Sequence, residues 1–207
     1  MMGGDIPQPA VFLDRDGTLI EQQHYLSDPK EVVLIETVPK ALLDLRSAGF
    51  KLVVVTNQSG IARGLYAESD YYAVAKRVDE LLDDAGVSVD ATFYCPHHHD
   101  FGSPCNCRKP LTGMHHKASE MFGIDFASSY FVGDMVSDVL PALELGGIGV
   151  LVRTGYGSQE EAHIPDGVAV VDNLGAVAGL IKRLIACDPS PLSRPGPDTV
   201  DPPERAG

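Results

Sequence analysis

Short apolar runs alternate with longer amphipathic stretches along most of this chain. Each run is too short for a helix, lacks a helical period and is followed by polar residues or glycine, a pattern typical of buried parallel strands. It predicts strands over 10–13, 52–55, 91–94, 130–132, 149–153 and 168–171. Apolar residues at helical spacing predict helices over 38–48, 68–85, 112–122, 139–145 and 174–186. This alternation predicts an α/β fold, a Rossmann-like and mostly parallel sheet with helices on both faces.

The first predicted strand runs directly into two acids. In AVFLDRDGTLI, four apolar residues precede Asp14 and Asp16, and Gly17 and Thr18 follow. Alternate residues of a strand share a face, so the two carboxylates are expected on the same side. Two such groups at the end of a buried strand need a cation or a shared proton. They predict a metal-assisted nucleophile with its acid/base partner. The alternative is a strand followed by an Asx-type turn with solvated acids.

Two later strands also lead into polar residues. The strand over 52–55 is followed by Thr56, and the strand over 130–132 by Gly133 and Asp134. Ligands of open α/β sheets bind beyond the carboxyl ends of the strands. Asp14, Thr56 and Asp134 are therefore expected to converge. Simpler roles stay open, because Thr56 could only end a strand and Asp134 could only cap the next helix.

A Cys/His loop follows the third predicted strand. The segment CPHHHDFGSPCNC contains Cys95, Cys105 and Cys107, with histidines at 97–99. Three thiolates and one imidazole complete the tetrahedral coordination of Zn²⁺ with no open position, which is typical of a structural site. The alternative is free buried cysteines beside solvated histidines. Arg108 and Lys109 come next, so a zinc ion here would fix the loop that presents these two cations.

Composition limits the kind of protein and its partners. The 207 residues are 44% hydrophobic and 22% charged, which suits one domain over 1–187 with a Pro-rich, disordered tail over 188–207. A net charge of -13 argues against a nucleic-acid partner. It leaves a small phosphorylated substrate possible, because local groups and a metal can outweigh the overall field. No run of apolar residues is long enough to cross a membrane and no signal pattern is present, so a cytoplasmic location is expected.

Four segments in order, LDRDGT, VVVTNQSG, CRKP and VGDMVSD, resemble the signature motifs of the haloacid dehalogenase-like phosphohydrolases. The resemblance implies an Mg²⁺-dependent phosphomonoester hydrolase that forms an aspartyl-phosphate. Asp14 would be the nucleophile and Asp16 the acid/base, while Thr56 binds the phosphoryl group and Lys109 neutralises its charge. Mg²⁺ would be bound by Asp14, the Asp16 carbonyl and Asp134. The motifs leave two roles open for Asp138: supporting the metal's waters or pairing with Lys109.

The Cys/His loop narrows the resemblance to family members that act on a heptose bisphosphate or on histidinol phosphate. TNQSGIARGLY is similar to the sugar phosphatases, whereas the short spacing from Cys95 to Cys105 is nearer the histidinol type. The implied zinc ligands are Cys95, His97, Cys105 and Cys107, with His98 or His99 as possible substitutes for His97. The implied substrate contacts are Gln22, Gln23, His24, Tyr25, Asn57, Gln58, Ser59, Arg63 and Arg108. No cap domain interrupts the motifs, which favours a small sugar phosphate as substrate, and a monomer is expected.

Two other classes of protein compete with this hypothesis. A receiver-like signalling domain also places an aspartate at a strand end, but it has no second acid two residues later and no reason for a zinc loop. A zinc-organised nucleic-acid-binding module is opposed by the charge of -13.

Overall fold

The computed structural model describes residues 7–187, and within them six parallel strands form one sheet. The strand order is β3-β2-β1-β4-β5-β6, which places β1 in the middle between β2 and β4. The strands are β1 (Ala10–Leu13), β2 (Lys51–Asn57), β3 (Ala91–Cys95), β4 (Tyr130–Gly133), β5 (Ile148–Val152) and β6 (Ala169–Val171). Each predicted strand is present, and its ends agree to within two residues.

Helices cover both faces of the sheet, as the alternation predicts. They are α1 (Val38–Ser47), α2 (Glu68–Asp84), α3 (Gly113–Phe122), α4 (Val136–Leu145), α5 (Gly157–Glu160) and α6 (Leu174–Cys187). A short 3-10 turn at Pro29–Glu31 follows Asp28, where Asp28-Pro29 predicts a turn; those at Phe126–Ser128 and Glu161–His163 were not predicted, and neither was α5. The predicted α/β fold class is confirmed.

The core has one layer on each face of the sheet because successive strand residues point in opposite directions. Val11 and Leu13 of β1 pack in the larger layer with apolar residues of α1, α2 and α6. Phe12 packs in the smaller layer with residues of α3 and α4, including Met114 and Ala142. β1 is therefore buried on both faces, and the acids that follow it are held by a rigid centre.

Helix α4 begins three residues earlier than predicted. It starts at Val136 instead of Val139, so Pro141 lies inside the helix and not in its first turn. The reason is local: the Asp138 carboxylate accepts a hydrogen bond of 3.0 Å from the Met135 N–H, which satisfies a backbone donor at the helix start. Asp138 consequently lies in the first turn of α4, next to the end of β4.

The predicted tail, 188–207, lies outside the described residues. Among residues 7–187, no helix is long and apolar enough to cross a membrane.

Candidate active site and Cys/His cluster

A cavity of about 440 Å³ opens at the carboxyl ends of the central strands. Asp14, Asp16, Thr56, Lys109 and Asp134 all line it, so the sheet brings together every residue predicted to act on the phosphoryl group. Most predicted substrate contacts line the same cavity: Gln22, Gln23, His24, Tyr25, Asn57, Gln58, Ser59 and Arg108.

Arg63 is the exception, because it does not line the cavity. Its guanidinium contacts His98 Nε2 at 2.7 Å and lies 5.2 Å from the centre of the Phe101 ring. The Arg63 side chain therefore packs on the Cys/His loop, and its contact with substrate stays a prediction.

Lys109 forms the electrostatic centre of the cavity. Its Nζ lies 2.6 Å from Asp14 Oδ1 and 2.8 Å from Asp138 Oδ1, and all three side chains are buried. Burial lowers the pKa of Lys109, but the charges of Asp138 and Asp14 more than compensate, so its pKa is raised. Lys109 is thus held protonated. Of the two roles left open for Asp138, the structure shows the pair with Lys109.

The side chain of Asn57, a predicted substrate contact, binds the backbone of Lys109. Its Nδ2 donates to the Lys109 carbonyl at 3.1 Å, and its Oδ1 accepts from the Lys109 N–H at 3.0 Å. The end of β2 therefore fixes a loop residue that is 52 positions away in sequence. Asn57 positions the cation of the site.

Asp134 adds a third buried carboxylate. The side-chain oxygens of Asp14, Asp134 and Asp138 come within 4.8 Å of one another. Burial raises the pKa of Asp14 to about 7; Lys109 opposes this shift, and the charges of Asp138 and Asp16 add to it. Burial, together with the charges of Asp14 and Asp138, raises the pKa of Asp134 to about 8. One ammonium does not balance three carboxylates, so the donor set fits a hard divalent cation such as Mg²⁺.

Asp134 is closely surrounded by backbone. Its Oδ2 accepts a hydrogen bond of 2.8 Å from the Tyr156 N–H, and a β-carbon on Gly17 or Gly155 would lie 2.2 or 2.1 Å from the same oxygen. Thr154 joins these two turns, because its hydroxyl donates to the Gly17 carbonyl at 2.6 Å. The turn after β5, which the sequence did not single out, therefore fixes the orientation of Asp134.

Asp16 is held by a buried arginine that the sequence interpretation missed. Arg15 is 3% exposed, and its Nε and Nη2 donate to the two Asp16 oxygens at 3.1 and 3.0 Å. Gln58 Nε2 donates to Asp16 Oδ2 at 2.9 Å. A cation placed between two acids at the end of a buried strand was the available signal, since an unpaired arginine is rarely buried.

The Cys/His loop forms a compact cluster of four ligand atoms. The sulfur of Cys95 lies 3.0 Å from that of Cys107 and 3.7 Å from that of Cys105, and His97 Nδ1 lies 3.3 Å from Cys107. Sulfurs bound to one tetrahedral zinc at about 2.3 Å stand about 3.8 Å apart. The separation of Cys95 and Cys105 matches this value and that of Cys95 and Cys107 is shorter, so the donor types and their clustering are compatible with this ion. Burial raises the pKa of the Cys95 thiol, and a cation would favour the thiolates.

His97 belongs to this cluster, whereas its neighbours do not. His98 contacts Arg63 and accepts a hydrogen bond of 3.2 Å from the Asp100 N–H, and His99 faces Asp100. His98 and His99 form a separate group with Asp100. Arg108 connects the Cys/His cluster with the cavity, because it lines the cavity and donates to the His97 carbonyl at 3.2 Å.

Comparisons with known proteins agree with this arrangement. A family profile described as polynucleotide kinase 3 phosphatase matches residues 10–147. The heptose phosphatase of Yersinia pestis, D-glycero-beta-D-manno-heptose-1,7-bisphosphate 7-phosphatase, is 44% identical over 71% of this chain and 81% of its own. The protein of the same name from Escherichia coli K12 is 42% identical over 75% of this chain and 84% of its own.

A solved structure has the same fold. The D,D-heptose 1,7-bisphosphate phosphatase of B. bronchiseptica, complexed with magnesium and phosphate, superposes with a TM-score of 0.78 at 33% identity. The match covers 86% of this chain and 99% of that one. The chain therefore belongs to the haloacid dehalogenase-like phosphatases. It is a hydrolase of phosphomonoesters, and the resemblance seen in the four motifs is confirmed.

Proposed function

We propose that this phosphatase removes the 7-phosphate of D-glycero-β-D-manno-heptose 1,7-bisphosphate, a step towards nucleotide-activated heptose. The observation that carries the chemistry is the 2.6 Å contact of Lys109 Nζ with Asp14, beside Asp134 in one cavity. The names of relatives 42–44% identical support the substrate and its β anomer. The cavity volume of about 440 Å³ suits a ligand of this size.

In the first step, a carboxylate oxygen of Asp14 attacks phosphorus as the bond to the sugar oxygen breaks. Asp16 donates its proton to the leaving alkoxide. Lys109 neutralises charge that develops on the phosphoryl oxygens, and the Thr56 hydroxyl donates to one of them. The products of this step are the free sugar hydroxyl and a phosphorylated Asp14.

In the second step, water attacks the phosphorus of the aspartyl-phosphate. Asp16, now ionised, takes a proton from this water, and the bond from phosphorus to Asp14 breaks. Inorganic phosphate leaves, and Asp14 is again a carboxylate. The two acids of LDRDGT therefore have different roles, one covalent and one in proton transfer.

Two metals complete the proposal, and each has a distinct donor set. Asp14, the Asp16 carbonyl and Asp134 would bind Mg²⁺, which supplies positive charge to the phosphoryl oxygens. Cys95, His97, Cys105 and Cys107 would bind Zn²⁺, which supplies a structural link in the loop that carries Arg108 and Lys109.

The sugar would lie against the outer wall of the cavity, on Gln22, Gln23, His24, Tyr25, Ser59 and Arg108. The His24 and Tyr25 rings pack 4.4 Å apart, and Tyr25 has a φ of 55°. A left-handed backbone is unfavourable for a tyrosine, and such residues cluster where a site needs a fixed geometry. Arg108 is available to pair with the second phosphate.

The test is a comparison of kcat/KM on four substrates: the β and α anomers of the heptose bisphosphate, histidinol phosphate and a 3′-phosphorylated oligonucleotide. We expect kcat/KM for the β anomer to exceed kcat/KM for histidinol phosphate and for the oligonucleotide by about 100-fold or more. With either of these two substrates, polar groups of the site would be left unpaired. Faster hydrolysis of histidinol phosphate would overturn the proposed substrate. Preference for the oligonucleotide would favour the activity named in the family profile. Cytoplasmic location and a monomeric state stay predictions from the sequence.

A further inference from the structure

The side-chain amide of Gln58 lies at the junction of the two halves of the site. Gln58 follows β2 and is 4% exposed although it lines the cavity. Its Nε2 lies 2.8 Å from Thr56 Oγ1 and 2.9 Å from Asp16 Oδ2. Its Oε1 lies 3.1 Å from Arg15 Nη2 and 2.7 Å from the Tyr66 hydroxyl. A primary amide has two donor hydrogens and two acceptor lone pairs, so all four positions are used within the protein.

The chemistry of the neighbours fixes which way this amide faces. Arg15 can only donate, so it must face Oε1, and the Asp16 carboxylate accepts from Nε2. Rotating the amide by 180° would place its NH₂ against the guanidinium and its oxygen against the carboxylate. The orientation is therefore determined by a charged group at each end.

This orientation determines the direction of the Thr56 hydroxyl. Thr56 Oγ1 accepts a hydrogen from Gln58, so its own proton remains for a different acceptor. Thr56 is buried and lines the cavity in which Asp14 lies. A phosphoryl oxygen bound there would receive that proton as a hydrogen bond.

The same amide group limits where Asp16 can lie. Gln58 and Arg15 together give the carboxylate three hydrogen bonds, and Tyr66 supports Gln58 from behind. Asp16 is 19% exposed at its side chain, so these bonds form at a partly wet position where a free carboxylate would otherwise rotate.

We propose that Gln58 is a positioning residue that orients the Thr56 hydroxyl as a donor and holds Asp16 for proton transfer, and that it does not bind substrate directly. The sequence predicted a substrate contact at this position, but the amide has no free donor or acceptor for one. The inference rests on the proposed function, in which Thr56 and Asp16 have these roles.

The first test is Gln58→Met, which keeps the length of the side chain and removes its hydrogen bonds. Two phosphomonoesters are compared: glycerol phosphate, whose alkoxide needs a proton to leave, and p-nitrophenyl phosphate, whose phenolate leaves without one. We expect kcat on glycerol phosphate to fall about 100-fold, the lower end of general acid catalysis, while KM changes less than about threefold. The loss on p-nitrophenyl phosphate should be smaller by about tenfold or more. Equal losses on both substrates, or no loss, would overturn the role towards Asp16.

The second test is a double-mutant cycle with Thr56→Val, measured on p-nitrophenyl phosphate. If Gln58 acts through the Thr56 hydroxyl, the factor by which Gln58→Met lowers kcat is at least about threefold smaller in the Thr56→Val background than in the wild type. Additive losses would overturn the role towards Thr56.

Three controls separate this inference from other failures. Gln159→Met changes a glutamine that is exposed on α5, and it should leave kcat unchanged. Tyr66→Phe removes only the hydroxyl that donates to Gln58. If Gln58→Met does not fold, Tyr66→Phe takes its place, and its loss of kcat on glycerol phosphate should exceed its loss on p-nitrophenyl phosphate by about two- to fivefold. Without this difference the inference is wrong. A wild-type protein that releases phosphate neither from the heptose bisphosphate nor from either of these phosphomonoesters would refute the proposed function, whereas an active wild type with an equally active Gln58→Met refutes the inference alone.

Discussion

The carboxylate cluster and the Cys/His cluster differ in ligand chemistry and in their position in the fold. The first consists of Asp14, Asp134 and Asp138, which come from the ends of β1 and β4 and the start of α4. The second consists of Cys95, His97, Cys105 and Cys107, which lie at the end of β3 and in the loop after it. The carboxylate cluster faces the cavity, whereas four ligands already surround the second centre.

Under the proposed function, the two clusters would bind different metals. Oxygen donors and an open cavity suit Mg²⁺, which keeps several waters and can bind a phosphate. Thiolates and an imidazole in a closed set suit Zn²⁺. The first set lies at the ends of buried central strands, whereas three of the four residues of the second set lie in the loop after β3. We therefore expect the two centres to fail in different ways.

The largest effect is expected from Asp14→Asn, which keeps the shape of the side chain and removes the nucleophile. We expect phosphate release to fall by about 10⁶-fold, the scale seen when a nucleophile is removed. Lys109 keeps Asp138 as a partner, so the protein should fold. Zinc content, measured by elemental analysis, should not change. Mg²⁺-dependent phosphate release that survives in this variant would refute the nucleophile assignment.

Cys107→Ser tests the other centre. The expected result is a loss of more than about 100-fold in zinc affinity, beyond the range found for outer-shell changes, with a fall in activity because Arg108 and Lys109 lose their fixed loop. Cys187→Ser is the matched control, since Cys187 is exposed on α6. Full zinc content in Cys107→Ser would contradict the ligand set.

Asp134→Asn should raise the Mg²⁺ concentration for half-maximal activity by about tenfold or more, because it replaces a charged ligand by a neutral one. Calorimetric titration with Mg²⁺ gives the affinity independently of turnover. Zinc content should again be unaffected, and an unchanged Mg²⁺ affinity would remove Asp134 from the magnesium site.

The smallest effect concerns the core that both centres share. His115 of α3 is buried between Phe12 and Phe131, with ring centres 5.0 and 5.2 Å away. Burial lowers its pKa to about 3, with Lys109 acting in the same direction. Protonation therefore favours the unfolded chain, where the pKa is about 6.5. The stabilising effect of a neutral His115 is present above pH 6.5 and is lost as the pH falls towards 3.

Between pH 7 and pH 5, wild type should lose about 2 kcal/mol of unfolding free energy that His115→Gln does not lose. Urea unfolding at the two pH values measures this difference. Equal pH dependence in both proteins would show that His115 is not held neutral.

The sequence predicted the parts of this molecule that depend on local pattern. Strand ends were identified to within two residues because the apolar runs stop close to Asp14, Thr56 and Gly133. The Cys/His cluster was identified because its ligand types are rare and close in sequence. The convergence of Asp14, Thr56 and Asp134 followed from a general rule about parallel sheets.

The parts that were missed depend on contacts between distant residues. Arg15 and Tyr66 both bind Gln58, which is 43 and 8 positions away from them. The pairing of the Asn57 amide with the Lys109 backbone was not predicted, because the two residues are 52 positions apart in sequence. The start of α4 was placed late because Pro141 was assigned to the first turn of the helix, where a proline is tolerated.

The close approach of Gly17 and Gly155 to Asp134 has a consequence for how freely this chain can vary. A methyl group at either position would occupy the place of a carboxylate oxygen. In a library of all single substitutions selected for activity, variants at Gly17 and Gly155 should therefore be lost as strongly as variants of the acids. Neither glycine takes part in the chemistry; each lacks a side chain and so leaves room for the Asp134 carboxylate.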